Sequence, residues 1–348
     1  MRVALIGYGT GGSVFHAPTI AATEGLDLAA VVTGDSERRA DVQHRYPGTA
    51  VLSEAAEVWE DADDYDLAVI TAPNRAHAQL AQAALSAGLH VVVDKPVATA
   101  VNDARTIAAF AAEHDRMAIP FHNRRYDGDF LTVKRLLAEG ALGKARRFES
   151  RFERWRPKVK PGWKESADPA DGGGIQYDLG SHLIDQAIAL FGTPHRVYAE
   201  LDVRREGAQA VDDAFIALAF GDDAPVRVHL WMSAVAADLG PRFRVLGDRA
   251  AYVKYGLDPQ EQALRDGHAP GGEGWGTEPE EMYGTLGTTD DSTRVPTDPG
   301  RYPGFYTDVV SALNNEAPPP VTMDDAITGL RVIEAATRSS RVGVLVPL

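Results

Sequence analysis

The sequence predicts an α/β protein: an N-terminal, Rossmann-type, doubly wound parallel sheet, followed by an α+β region with a large, mostly antiparallel open sheet. Three observations lead there. Arg2 to Ile6 is a short apolar run that passes directly into Gly7-Tyr8-Gly9-Thr10-Gly11-Gly12. Apolar runs then alternate with helical patterns up to residue 121, as βαβ units require. Beyond that point, strands of alternating polarity follow one another without helices between them. A length of 348 residues exceeds one average domain, so two are expected, split at 1–121 and 122–348.

The first apolar run is a strand, and the glycines after it fit G-x-G-x-x-G. Such spacing allows a tight turn, close approach of backbone to a pyrophosphate, and close packing of the helix whose N-terminus attracts the anion. Glycine clusters also mark plain turns; position directly after a strand is what favours a dinucleotide. Pro18 should cut short or kink the helix that starts near Gly12, and His16 reads as a packed or capping residue. A second strand, Leu28 to Val32, ends at Thr33-Gly34-Asp35-Ser36. A carboxylate about 20 residues past the glycines would accept from the ribose of NAD; here the slot holds Thr33 and Gly34. Asp35 reads as a helix cap, and Arg38 and Arg39 one turn on could meet a 2′-phosphate, so NADP is preferred and Asp35 leaves NAD open. Strand Leu67 to Thr71 leads through Ala72-Pro73-Asn74 into a helix stopped by Gly88. The next strand, Val91-Val92-Val93, ends in Asp94-Lys95-Pro96, so Lys95 is either an ordinary surface lysine or a charge delivered to the ligand-binding edge of the sheet. A helix over Val101–Glu113 and a strand over Met117–Phe121 complete this half.

Composition excludes several classes. With 35 basic and 50 acidic residues the formal charge is −15, which repels nucleic-acid phosphates and anionic lipid surfaces. There is no cysteine, hence no disulfide, thiolate nucleophile or cysteine-ligated metal. No stretch reads as an export signal or membrane span, and a cytoplasmic setting is expected.

In the second half, Lys144 to Trp155 alternates, with Phe148 and Phe152 on one face and Arg147, Glu149, Arg151 and Glu153 on the solvated one. Alternation recurs in Ala214–Phe220, Val226–Met232 and Phe243–Val245. A large sheet with few helices leaves a face open, so a homo-oligomer, dimer or tetramer, is expected through it. Two loops stand out. Trp155-Arg156-Pro157-Lys158-Val159-Lys160-Pro161-Gly162-Trp163-Lys164 combines indoles with cations, and Gly267 to Gly287 carries Trp275 and Tyr283. Both could be plain connections, or could contact a polyhydroxylated ring. Helices near Tyr302–Asn315 and Met323–Ser339 close the chain.

After Gly172-Gly173-Gly174 comes Ile175-Gln-Tyr-Asp178-Leu-Gly-Ser-His182-Leu-Ile-Asp185. Asp178 and His182 are i, i+4, on one helical face. They are either a helix-terminal acid with a core histidine, or an acid–imidazole pair that moves a proton. A metal site through Asp178, His182 and Asp185 lacks further clustered ligands, and no metal is expected.

Taken together, GYGTGG, TAPNRAH, ALSAGLHVVVDKP and GGGIQYDLGSHLID resemble the glucose–fructose oxidoreductase / inositol dehydrogenase family (Gfo/Idh/MocA), in family order from residue 7 to residue 185. NRRYDGDF and FESRF resemble its branch of NADP-dependent scyllo-inositol dehydrogenases. One departure is Asp94, where the family usually has Glu. The resemblance implies an NAD(P)-dependent oxidoreductase acting on a secondary alcohol or ketone of a sugar, inositol or related polyol. It implies a nucleotide site of Gly7, Tyr8, Gly9, Thr10, Gly11, Gly12, Thr33, Gly34, Ser36, Arg38, Thr71, Pro73, Asn74, His77, Asp94 and Lys95. Substrate contacts are expected from Lys95, Asn123, Arg124, Trp155, Trp163, Asp178, His182 and Tyr283. By the same resemblance Lys95 holds the substrate hydroxyl, its pKa drawn below about 10.4 by burial and the oxidised nicotinamide. His182 takes or relays the proton and Asp178 orients it. The competing reading is a non-catalytic regulator that senses nicotinamide nucleotides on the same fold.

Overall fold

The computed structural model describes residues 1–160, 162–221 and 226–348, so Pro161 of the tryptophan loop lies outside the described residues. The chain divides into two compact units. The first comprises 1–123, 260–275 and 301–327, and the second 124–259, 276–300 and 328–348.

The first unit is built on six strands, β1 (Arg2–Ile6), β2 (Asp27–Val32), β3 (Ala50–Leu52), β4 (Leu67–Ile70), β5 (His90–Asp94) and β6 (Ala118–Phe121). All pair in parallel, in the order β3-β2-β1-β4-β5-β6. Except in β3, their alanine, valine, leucine and isoleucine runs are buried on both faces, which is why they read as continuous apolar stretches. Only β3 escapes the sequence reading, being three residues long. Strand order reverses between β1 and β4, and ligands of such sheets bind at that switch point. Asp35 caps helix Ser36–Arg45 by accepting from the Arg38 N–H at 3.0 Å. Gly88, at φ +86°, ends the run after helix Asn74–Ser86.

The expectation for Pro18 needs correction. The helix after the glycines opens with a wide π turn, Gly11–His16, and continues as α-helix over Ala17–Ala21, through the proline. Pro18 occupies the second position of that α segment, where a missing N–H costs little. His16 is fully buried, with Nδ1 2.6 Å from the Tyr306 hydroxyl and its ring 3.9 Å from that of Phe121.

The second unit carries β7 (Ala145–Glu153), β8 (Arg196–Asp202), β9 (Asp213–Phe220), β10 (Val226–Ser233), β11 (Phe243–Gly247), β12 (Ala251–Lys254), β13 (Gly284–Gly287), β14 (Ser292–Val295) and β15 (Val346–Pro347). They form one sheet in the order β14-β13-β12-β11-β7-β10-β9-β8-β15. Only the β7–β10 pairing is parallel among them. Phe148 and Phe152 are fully buried on the core face, where Phe191 of helix Ser181–Phe191 packs 5.6 Å from Phe148. Glu149 departs from its expected solvated position. It is buried, because Arg147, Arg151 and Arg244 close over its carboxylate at 3.5, 3.3 and 3.1 Å.

Two buried polar arrangements make this fold testable. Arg242 and Asp129 are 2 % and 1 % exposed, with Nε 3.3 Å from Oδ2. Asp129→Ala removes the carboxylate from a buried guanidinium, so urea unfolding should report a loss of about 3 kcal/mol or more; a loss below 1 kcal/mol would contradict the account. His77 in the first unit is buried, with Nδ1 and Nε2 each 2.8 Å from a carbonyl, those of Pro96 and Ala72. Burial lowers its pKa, and the Asp94 charge and the two carbonyls oppose that only in part. The folded ring therefore stays neutral where the unfolded chain begins to bind a proton, near pH 6.5, and stability falls on acidification until the folded pKa is passed. Between about pH 7 and 5, His77→Gln should show a shallower loss of unfolding free energy than the parent, by at most about 1.4 kcal/mol per pH unit. Parallel pH profiles would remove His77 from this role.

Candidate active site

In the first unit the glycine turn is shaped by what its residues lack. Gly7 has φ +102°, and a Cβ there would come within 3.0 Å of the Thr71 backbone. At Gly12 a Cβ would stand 2.4 Å from the Gly7 carbonyl oxygen, so the helix packs on the turn only without a side chain. Gly9 has open space around its missing Cβ, the condition for backbone to approach a pyrophosphate. The Thr71 hydroxyl donates to the Gly7 carbonyl at 2.7 Å and ties the end of β4 to the turn. Tyr8 is buried and donates to Asp41 Oδ2 at 2.9 Å, a partner the sequence reading did not find. These features fit a dinucleotide: the turn leaves room for phosphates, and Thr10 stands at the entry of the helix.

At the end of β2, Thr33 is buried while Gly34 and Ser36 are exposed. Arg38 and Arg39 separate. Arg39 is drawn to β3, donating to Ser53 Oγ at 2.9 Å and to the Val51 carbonyl at 3.3 Å. Arg38 stays exposed, and among the described residues its guanidinium has no partner. Pro73 precedes the helix that opens with the buried Asn74.

Asp94 and Lys95 follow directly from the end of β5. The Lys95 N–H donates to Asp94 Oδ1 at 2.7 Å, and a Cβ at Gly11 would lie 2.7 Å from Asp94 Oδ2. The short aspartate thus turns back on its own strand end and packs against the glycine helix. Its side chain is 21 % exposed and faces His16 Nε2 at 3.8 Å. Burial by itself would raise the Asp94 carboxyl; His16, and after it the charge of Lys95, are the main influences that outweigh burial and hold the group below its ordinary value. The Lys95–Pro96 bond is cis.

In the second unit, the triple glycine shapes the turn before Asp178. A Cβ at Gly173 would meet the Ser166 carbonyl oxygen at 2.3 Å, and Gly174, at φ +83°, would meet that of Val211 at 2.9 Å. The Gly174 N–H donates to the Lys164 carbonyl at 2.7 Å, which brings the tryptophan loop against the turn. Residues Gln176–Gly180 form a wide π turn before the α-helix over Ser181–Phe191, so Asp178 and His182 stand on two kinds of turn and the uniform α spacing assumed for them does not apply. His182 is 6 % exposed. Lys164 Nζ lies 2.8 Å from Asp178 Oδ1. That contact joins positions fourteen apart and is invisible to a helix-spacing argument.

A cleft of about 360 Å³ opens beside Asp178, lined by the loop cations, Trp163, Lys164, Ile175 and Leu179. Trp163 is 40 % exposed at its wall. Arg205, also lining it, is clamped by Glu165 at 2.8 Å and Asp212 at 2.9 Å. Burial would raise the Asp212 carboxyl; backbone N–H groups of Arg204 and Arg205 and the Arg205 guanidinium together hold it below its usual value. Of the other expected contacts, Trp155 is exposed and bridges to Val235, and neither it nor Tyr283 lines the cleft. Arg124 is buried over the Phe152 ring and 3.3 Å from Asp127, and Asn123 is buried in the short turn Asn123–Tyr126. The Asp185 carboxylate takes both ends of the Arg125 fork, at 2.9 and 2.7 Å. Among the described residues no group of three histidine or acidic side chains is placed to hold a metal, and no helix is long and apolar enough to cross a membrane.

Comparison with known proteins agrees with this geometry. Residues 1–122 match the family profile described as "Oxidoreductase family, NAD-binding Rossmann fold", and 134–348 match "Oxidoreductase family, C-terminal alpha/beta domain". The uncharacterized oxidoreductase YdgJ of Escherichia coli is 42 % identical over 98 % of this chain and 96 % of its own. The scyllo-inositol 2-dehydrogenase (NADP(+)) IolW of Bacillus subtilis is 34 % identical over 98 % of this chain and 94 % of its own. Among solved structures, yvaA of Bacillus subtilis superposes with a TM-score of 0.92 at 33 % identity, over 100 % of this chain and 99 % of that one. With both profiles matched in sequence order and both glycine turns shaped as described, the chain belongs to the Gfo/Idh/MocA oxidoreductase family and is an NAD(P)-dependent dehydrogenase.

Proposed function

We propose that the protein transfers a hydride between NADP and a secondary alcohol or ketone of a sugar, inositol or related polyol. The observation that carries this reading is the cleft beside Asp178, where an exposed indole and hydrogen-bonding side chains offer a surface for a hydroxylated ring. The relative IolW, named for the oxidation of scyllo-inositol, supports the substrate class. The 1–121 region supplies the nucleotide site and 122–348 the substrate wall.

A nicotinamide nucleotide held at the Gly7–Gly12 turn would supply or accept the hydride. Lys95 holds the substrate hydroxyl and offsets charge on its oxygen, His182 takes or returns the hydroxyl proton, and Asp178 orients the reacting groups. The Lys164 ammonium pairs with Asp178 at 2.8 Å and fixes its direction. NADP is preferred over NAD because no carboxylate occupies Thr33 or Gly34, Asp35 is spent on capping, and the exposed Arg38 is available to a 2′-phosphate. The outer face of the large sheet, with Phe215, His229 and Trp231 packed ring against ring and Arg151 over the indole at 3.9 Å, suits a homo-oligomeric contact, as dimer or tetramer, in the cytoplasm.

Lys95→Ala and His182→Ala should each lower turnover of the best polyol by 10³-fold or more, on the order expected for losing a proton-transfer or charge-stabilising group. Dinucleotide affinity, read by fluorescence titration, should change less than about twofold, within the range of a contact worth little. Full activity in either variant would sink the mechanism. In the same titration NADP should bind more tightly than NAD, and Arg38→Ala should erase the difference; tighter NAD binding by the parent would overturn the cofactor preference.

A further inference from the structure

The cleft beside Asp178 runs against the charge of the whole protein. A chain of formal charge −15 lines this one cleft with six cations and three carboxylates. Lys164 answers Asp178, and Arg205 lies between Glu165 and Asp212. What remains includes Arg156, Lys158 and Lys160, and among the described residues no carboxylate pairs with any of the three. The stem that carries them is anchored: the Arg156 N–H donates to the Ala234 carbonyl at 2.7 Å, and Trp155 bridges to Val235. A neutral polyol is satisfied by donors and acceptors of balanced charge. Three uncompensated cations beside an exposed indole exceed that need, and in an acidic protein they focus a local positive potential.

We propose that this cleft selects polyols that carry an oxyanion, as a phosphate ester or a carboxylate, with the ring against Trp163 and the anion held by Lys158, Lys160 and Arg156. This rests on the reading of the cleft as the polyol site. The anion is recognised by charge-assisted hydrogen bonds, which are shorter and stronger than those to a hydroxyl, while Asp178 and Lys164 meet the uncharged part of the ring. No covalent step is added to the hydride transfer; the cations set which ring enters.

Glucose, glucose 6-phosphate and glucuronate, titrated calorimetrically into the NADP-loaded protein, test this directly. At about 20 mM salt both anions should bind at least about tenfold more tightly than glucose, and the advantage should shrink severalfold at about 200 mM salt as screening shortens to less than 10 Å. The larger gain, for phosphate or for carboxylate, identifies the oxyanion. The double variant Lys158→Glu, Lys160→Glu should lose the advantage, with melting temperature and NADP affinity reporting that it is folded. Equal affinities for glucose and the anions, no binding of either anion, or an advantage that persists in the double variant would overturn the proposal. Turnover assays on the same three compounds separate it from the enzymatic reading. Salt-sensitive anion binding without turnover of any polyol defeats the oxidoreductase mechanism and leaves the anion site standing; turnover with no preference for the anions does the reverse.

Discussion

The nucleotide end of this protein depends on a missing methyl group. At Gly12 any Cβ would sit 2.4 Å from the Gly7 carbonyl oxygen, and that carbonyl also accepts the Thr71 hydroxyl. The first helix can lie against the turn after β1, and β4 can lock beside it, only because nothing occupies that space. Asp94 exploits the same absence from the other side, since its Oδ2 rests where a side chain at Gly11 would be. Three strand ends therefore converge on one small volume, and each contact presupposes the others.

The second unit repeats the device for a different purpose. Gly173 and Gly174 let the carbonyls of Ser166 and Val211 come up against the turn before Asp178. The tryptophan loop is thereby held near enough for Lys164 to reach Asp178, fourteen residues on. A loop of cations and indoles, which could be an idle surface connection, becomes the wall of a cleft through backbone contacts and the Lys164–Asp178 pair. Electrostatics then gives the wall its character. Glu149, though buried, is closed over by three arginines, and the buried Asp129 faces Arg242 at 3.3 Å. That matching throws the unmatched loop cations into relief.

Asp94 shows how one methylene redirects a side chain. The family resemblance raises the expectation of a longer acid at this position, and the shorter one is spent on its immediate surroundings. It accepts from the Lys95 N–H and faces a histidine buried beneath it. His77 holds the same corner by lying between the carbonyls of Ala72 and Pro96. Both residues serve the geometry of the strand end that presents Lys95.

Much was legible without coordinates because local chemistry repeats with short periods. The apolar β-branched runs gave five of the six parallel strands, the alternation of Phe148 and Phe152 gave the core face of the large sheet, and Asp35 announced a helix cap. The short strands β3 and β12 to β15 were missed because two to four residues carry no period, and the seven-residue β8 was missed as well. The passage of a helix through Pro18 and the π turn under Asp178 were missed because both depend on how a turn widens to suit its neighbours. By itself the sequence determined the fold class and most of the parallel sheet, which follow from periodicity and turn chemistry along the chain, and the resemblance of its motifs pointed to the family. Only tertiary structure decided that Arg39 leaves Arg38 alone at the end of β2, that Glu149 is buried, and that Lys164 holds Asp178. The contacts of Arg39 with Val51, of Arg244 with Glu149 and of Lys164 with Asp178 join residues distant in sequence, and their strength is set by separation in space, which no spacing along the chain encodes.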